Sequence, residues 1–418
     1  MLRRHPGSGW VLARLLAPAA SIAVALAAIE LVLRLTGYGA PVGRAHAGLL
    51  RYEPTLGWEK APGKTVVYSW RGRYVRESSN EQGFRGPVVL PGKKWDEFRL
   101  LLLGDSFCEG FLVNEDEVVS AVLPGLWPAS RSETLSIINA GVAGYSTDQQ
   151  LLLFRRIGAE YAPDLTVLFF FDNDVWFNTA STEYRSAKPL FVLENGALRL
   201  TGVPVPEPPT DVSADPLPQA QPLAWLDGHS YLYRLIEDRV RRTPALSAWA
   251  MRLGWLESLD SESGPARPDS APIPREFLVY ARRPSSEKEA AWDLTKALLR
   301  ELKRDTEKAG SELAVFYVPA SPAVYDGVWR ATQTLYGLRD DEWDIRQPEG
   351  DLARICEDLG IAFLATTDRF RSEAARLSEE GKDLYFKDEG HWNGEGHRFA
   401  ALLLHEFLAA RPATHTAP

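Results

Sequence analysis

Apolar and polar positions alternate along this chain in three distinct regimes. Residues 15–33, LLAPAASIAVALAAIELVL, are almost unbroken apolar sequence, interrupted by Pro18, Ser21 and Glu30 and preceded by Arg3, Arg4 and Arg14. At about 1.5 Å per helical residue, such a stretch nearly spans a hydrocarbon core about 30 Å thick. The pattern predicts a single-pass transmembrane signal anchor over 15–35, with residues 1–14 cytoplasmic and the remainder exported to a periplasmic or other extracytoplasmic space. The triplet Ala25-Leu26-Ala27 also has the small-x-small form of a signal-peptide cleavage site, which leaves cleavage or retention open.

Residues 36–97 come next, rich in Gly, Pro and aromatic residues, with alternating stretches such as KTVVYSW and RGRYVRES. They read as a β-rich extension ending at the turn-like SSNEQGFRG. From residue 98 the period changes. FRLLLL is a continuous apolar run suited to a strand covered on both faces. NEDEVVSAVLPGL has Asn114 as N-cap, acidic residues in its first turn and helical spacing. LSIIN at 135–139 predicts a second strand, STDQQLLLFRRIGAEYAP a helix starting at Ser146 and Thr147, and LTVLFFF at 165–171 a third strand.

Residues 98–178 form the first part of a core that resumes over 276–412. Between them, 179–275 reads as an insertion with Pro-rich edges, able to cover part of a site. The second part holds a helix from SSEKEAAW to Gly310, the strand ELAVFYV, a helix near 350–359, the strand IAFLA and a final helix from about 394 to 409. This alternation predicts an α/β fold, a doubly wound and mostly parallel sheet with helices on both faces. Ligands of such sheets bind beyond the carboxyl ends of the strands. Ser106 and Asn173 both fall at that edge.

Composition narrows the field only slightly. The chain has 418 residues, 45% hydrophobic and 25% charged, with 13 tryptophans and a formal net charge of -9. That acidic balance excludes the basic footprint of a nucleic-acid-binding protein. Two cysteines, Cys108 and Cys356, make neither a disulfide framework nor a metal-ligand spacing.

The candidate chemistry lies at four short blocks. GDSF follows the first core strand, NAGVAGYS the second, FDND the third, and DEGH precedes the final helix. Asp388 and His391 are three residues apart, a spacing that puts a carboxylate and an imidazole on one face of a helical turn. A carboxylate there can accept the Nδ1 proton and orient the base. A metal reading through Asp388, His391 and His397 lacks a convincing ligand set.

Taken in order, the four blocks resemble the SGNH, or GDSL-type, hydrolase family, with its flavodoxin-like fold. The resemblance covers about 98–178 and 276–410. It implies Ser106 as nucleophile, His391 as general base and Asp388 as the acid that orients it. It implies Gly144 and the Asn173 amide, with the Ser106 N–H, as the oxyanion hole. The family's third block reads Gly-x-Asn-Asp, and here Phe171 stands at the glycine position. Phe107, Phe171 and Trp392 are candidates for lining the substrate pocket. No metal or organic cofactor is called for. The activity implied is hydrolysis of O-acyl, foremost O-acetyl, esters, on a polysaccharide by analogy with membrane-tethered relatives. Two alternatives stand beside it: an O-acyltransferase using the same acyl-enzyme, and a catalytically silent binding module of the same fold.

Overall fold

The computed structural model describes residues 8–36, 48–70, 73–128, 131–183, 186–208, 230–241, 246, 273–387 and 389–411. Most of the 179–275 insertion therefore lies outside the described residues. The chain forms two compact units: 1–48 with 66–76 and 210–265, and 49–65 with 77–209 and 266–418.

In the first unit, helix α1 (Ser8–Thr36) carries the apolar N-terminal stretch. Among the described residues no helix is long and apolar enough to cross a membrane; most of α1's side chains before Ala20 are outside them. Beyond that point Ile22, Val24, Leu26, Ile29, Leu31, Val32 and Leu35 are exposed. Glu30, the one acid of the stretch, accepts hydrogen bonds from Ser230 Oγ at 3.0 Å and Leu232 N at 2.8 Å. It thereby caps the helix Tyr231–Arg241, whose first N–H groups have no partner within the helix itself.

The second unit holds the sheet. The extension supplies β1 (Leu50–Glu53) and β2 (Gly57–Lys60), an antiparallel pair. The pair β3 (Thr65–Trp70) and β4 (Arg73–Ser78), most of which belongs to the first unit, completes the β-rich reading of this segment. The core strands are β5 (Glu97–Gly104), β6 (Thr134–Asn139) and β7 (Leu165–Phe170). After them come the short hairpin strands β8 (Thr182–Glu183) and β9 (Ser186–Ala187), and the hairpin β10 (Leu190–Glu194) and β11 (Ala197–Thr201). The core resumes with β12 (Glu312–Tyr317) and β13 (Ala362–Leu364). The five core strands are parallel, in the order β13-β12-β7-β5-β6.

All eight residues of β5 are buried, because both faces of the sheet are covered. Leu100 and Leu102 enter one apolar cluster with Val167, Phe316 and the helices around Phe370 and Leu404. Leu101 and Leu103 enter the other with Leu168, Val315 and the helices around Phe154 and Leu298. A leucine buried this fully contributes about 1.5–3 kcal/mol, so the four-leucine run pins the central strand to both layers. The strand order reverses between β5 and β7, and this switch point is where open sheets of this type bind ligands. Ser106 and Asn173 come directly after those two strands.

Two local expectations differ from the structure. The segment 114–126 is not one helix: Glu115–Glu117, Val119–Val122 and Leu123–Leu126 are separate short turns. Val118 is extended between the first two, and Pro124 supplies no N–H to continue the ladder. The connections after β12 and β13 also hold two unforeseen amphipathic helices, Asp326–Tyr336 and Thr367–Glu379.

Candidate active site

The turn after β5 is short and heavily constrained. Asp105 caps the helical turn Ser106–Glu109 by accepting from the Phe107 N–H at 2.9 Å. Burial pushes the Asp105 carboxyl up to about 6. Cys108, in the same turn, is a buried free thiol whose pKa burial drives up, so it behaves as core and not as a nucleophile. Ser106 alone of these side chains is half-buried and reaches the surface.

Its hydroxyl meets the far end of the chain. Ser106 Oγ lies 2.7 Å from His391 Nε2. His391 Nδ1 lies 2.6 Å and 2.7 Å from the two oxygens of Glu389. The expected acid was Asp388, which lies outside the described residues; the carboxylate placed on Nδ1 is Glu389. Among the described residues of this loop, the Gly390 N–H donates to Phe386 O and the Phe386 N–H to His391 O, and Gly390 has φ +86°, a left-handed conformation that favours glycine.

The imidazole is held from the side by Phe107 and Phe111, with ring centroids 4.7 and 5.2 Å away. Phe171, half-buried, packs 4.8 Å from Phe107. Trp392 and Phe107 do not line a pocket as expected. Trp392 is fully buried and stacks on Phe370 at 5.2 Å, while Phe107 is only 3% exposed. Both serve the core beneath the site. His397 is likewise a core residue: it is 1% exposed, packs edge-on against Trp392, and burial lowers it to about 3.

Three polar groups at this edge make no hydrogen bond to another described residue. Neither the Ser106 nor the Gly144 backbone N–H donates to another described residue. Gly144 has φ +78°, a left-handed conformation that a side chain disfavours. The loop before it presses on the nucleophile turn: a Cβ at Gly141 would stand 2.5 Å from Glu109 N, so only glycine fits. Asn139 joins the two segments, donating to Cys108 O at 2.9 Å and accepting from the Gly141 N–H at 3.1 Å. Asn173 begins the turn Asp174–Phe177, and its side chain makes no hydrogen bond to another described residue.

The residues flanking Asn173 are anchored. Asp172 accepts from Tyr317 OH at 2.6 Å and Tyr280 OH at 3.0 Å. Burial outweighs those two donors and raises its carboxyl to about 7. Asp174 accepts from Thr147 Oγ1 at 3.0 Å, and burial raises its carboxyl as well. Behind them Lys188 and Asp148 form a fully buried ion pair at 2.6 Å, and burial is the leading influence on the Asp148 carboxyl, which is raised. Asn173 thus stands between anchored neighbours, with its buried Oδ1 unpaired among the described residues.

No family model matches the chain, and no curated protein does. Among solved structures the chain is similar to TesA, at 10% identity and a TM-score of 0.35 over 74% of this chain and 97% of that one. It is similar to the acetyl xylan esterase AlAXEase at 13% identity and a TM-score of 0.37, over 75% and 100%. It is also similar to the esterase EstA from Pseudoalteromonas sp., at 11% identity and a TM-score of 0.34, over 75% and 97%.

Proposed function

We propose that this chain is a serine hydrolase of the SGNH type that cleaves O-acyl esters through Ser106, His391 and Glu389. The observation that carries the reading is the unbroken relay from Ser106 Oγ through both ring nitrogens of His391 to a carboxylate. With Nδ1–H held by Glu389, Nε2 is left as the lone-pair nitrogen facing the hydroxyl. His391 takes the Ser106 proton as Oγ attacks the ester carbonyl. The resulting oxyanion is met by the N–H groups of Ser106 and Gly144 and the Asn173 amide. As the tetrahedral intermediate collapses, His391 returns the proton to the leaving alcohol. Water then enters by the same route and releases the acid.

The acyl group is acetyl or similarly short, in keeping with the aromatic bulk of Phe171 where the related block has glycine. The alcohol is a sugar hydroxyl on an exported polysaccharide, and α1 holds the protein to a membrane. The exposed apolar side chains of α1 support the anchor; carbonate-resistant sedimentation with membranes checks it.

Asn173→Ala is expected to lower kcat by about 10²–10³-fold with little change in KM, because a donor aimed at developing charge acts in the transition state. An unchanged kcat would remove Asn173 from the hole. The activity itself is tested with an activated acetyl ester, with and without acetylatable oligosaccharide. Acetate release should dominate in both. Acceptor-dependent transfer exceeding hydrolysis would make the protein an O-acyltransferase instead.

A further inference from the structure

The N-terminal extension shows no chemistry in its sequence, yet it touches the loop that carries the Gly144 donor. Trp58, on β2, donates from its indole Nε1 to Ala143 O at 3.0 Å. The Ala143 N–H donates to Glu109 Oε2. Glu109 is buried on the nucleophile turn, and its other oxygen lies 3.4 Å from the buried ammonium of Lys60, also on β2. Both polar groups of Ala143 are therefore fixed, one from each side.

This matters through the geometry of the next peptide. The Ala143–Gly144 bond is trans, so its C=O and N–H point in opposite directions across a rigid plane. Holding the Ala143 oxygen fixes where the Gly144 N–H points. The indole is itself immobile: Trp58 is 8% exposed, its ring lies 5.8 Å edge-on from that of Tyr145, and Tyr145 OH donates back to Trp58 O. The carbonyls of Glu109 and Gly110 are held in turn by Arg85, another extension residue, at 2.9 and 2.5 Å.

We propose that Trp58 and Glu109 are positioning residues that clamp the Ala143 peptide groups and so aim the Gly144 N–H at the oxyanion, making the extension a working part of the active site. The inference rests on reading Ser106 as the nucleophile and Gly144 as a donor. A misplacement of about 1 Å can cost about 10²-fold in rate, and a fixed donor offers its charge without reorganisation.

Trp58→Phe keeps an aromatic ring and deletes only the N–H. In the full chain it is expected to lower kcat for an activated acetyl ester about 10–100-fold with KM within about twofold. Affinity for a boronic acid that mimics the tetrahedral intermediate should fall in parallel with kcat/KM. A merely structural tryptophan would instead lower the melting temperature and leave the kcat of the folded fraction unchanged, which would overturn the proposal. Should Trp58→Phe not fold, replacing the indole by its benzothiophene analogue keeps the shape and tests the same hydrogen bond. Glu109→Gln, which can still accept from the Ala143 N–H, should retain more activity than Glu109→Leu. Labelling of the parent protein by a fluorophosphonate separates the two levels. A parent that fails to label refutes the nucleophile reading, whereas a labelled parent with an unimpaired Trp58→Phe refutes the clamp alone.

Discussion

Replacing Ser106 with alanine is expected to lower kcat for an activated acetyl ester by about 10⁴–10⁶-fold and to abolish labelling by a fluorophosphonate. Removing the attacking oxygen leaves only binding and the oxyanion donors, which cannot form an acyl-enzyme. Folding should survive. Ser106 is half-buried and, among the described residues, its hydroxyl bonds only His391, so the lost hydrogen bond is worth about 0.5–1.5 kcal/mol. The helical turn is capped by Asp105, which the substitution does not touch. Circular dichroism and a melting curve establish that the variant is folded; kinetics and labelling then decide. A folded Ser106→Ala protein that retains more than a few per cent of the parent rate places the nucleophile elsewhere. Absence of both labelling and turnover in the parent would instead favour a silent binding module.

Glu389→Gln should cost about 10⁴-fold in kcat, with KM little altered. The carboxylate accepts the Nδ1 proton and stabilises the imidazolium that forms when Ser106 is deprotonated. A glutamine can present its NH₂ to Nδ1, which forces the ring proton to Nε2 and leaves no lone pair facing Ser106. The effect is on tautomer and charge, not on fold, since Glu389 is a turn residue with its side chain partly in solvent. Asp388→Asn is the necessary partner measurement and is expected to change kcat by less than about tenfold. The reverse order of effects would return the orienting role to Asp388.

The contrast between these two neighbours shows where sequence reasoning stops. Ser106 was legible as an edge residue because it follows a strand in an α/β alternation, and His391 through the block it shares with the resembling family. The four-leucine run of β5 is too short for a helix and suits a strand buried on both faces, and the residues directly after such a strand lie at the sheet's edge. Asn173 was legible for the same reason after β7. The Glu389 carboxylate on Nδ1 was not legible, because the helical spacing that singles out Asp388 says nothing of its neighbour; Asp388 itself lies outside the described residues. Trp392 and Phe107 misled by proximity in sequence: both adjoin a site residue, and both point into the layer beneath. The role of the extension was hidden more deeply. Nothing local to Trp58 or Lys60 says that their hairpin meets a loop some 85 residues later, since that contact is a product of tertiary packing.

Ser106 and His391 are separated by 285 positions, and this has a bearing on the life of the chain before it is complete. Synthesis from the N-terminus presents Ser106 early and His391 almost last. On the proposed function, a chain truncated before His391 carries a serine without its base, and such a product is expected to be inert and to resist labelling by a fluorophosphonate.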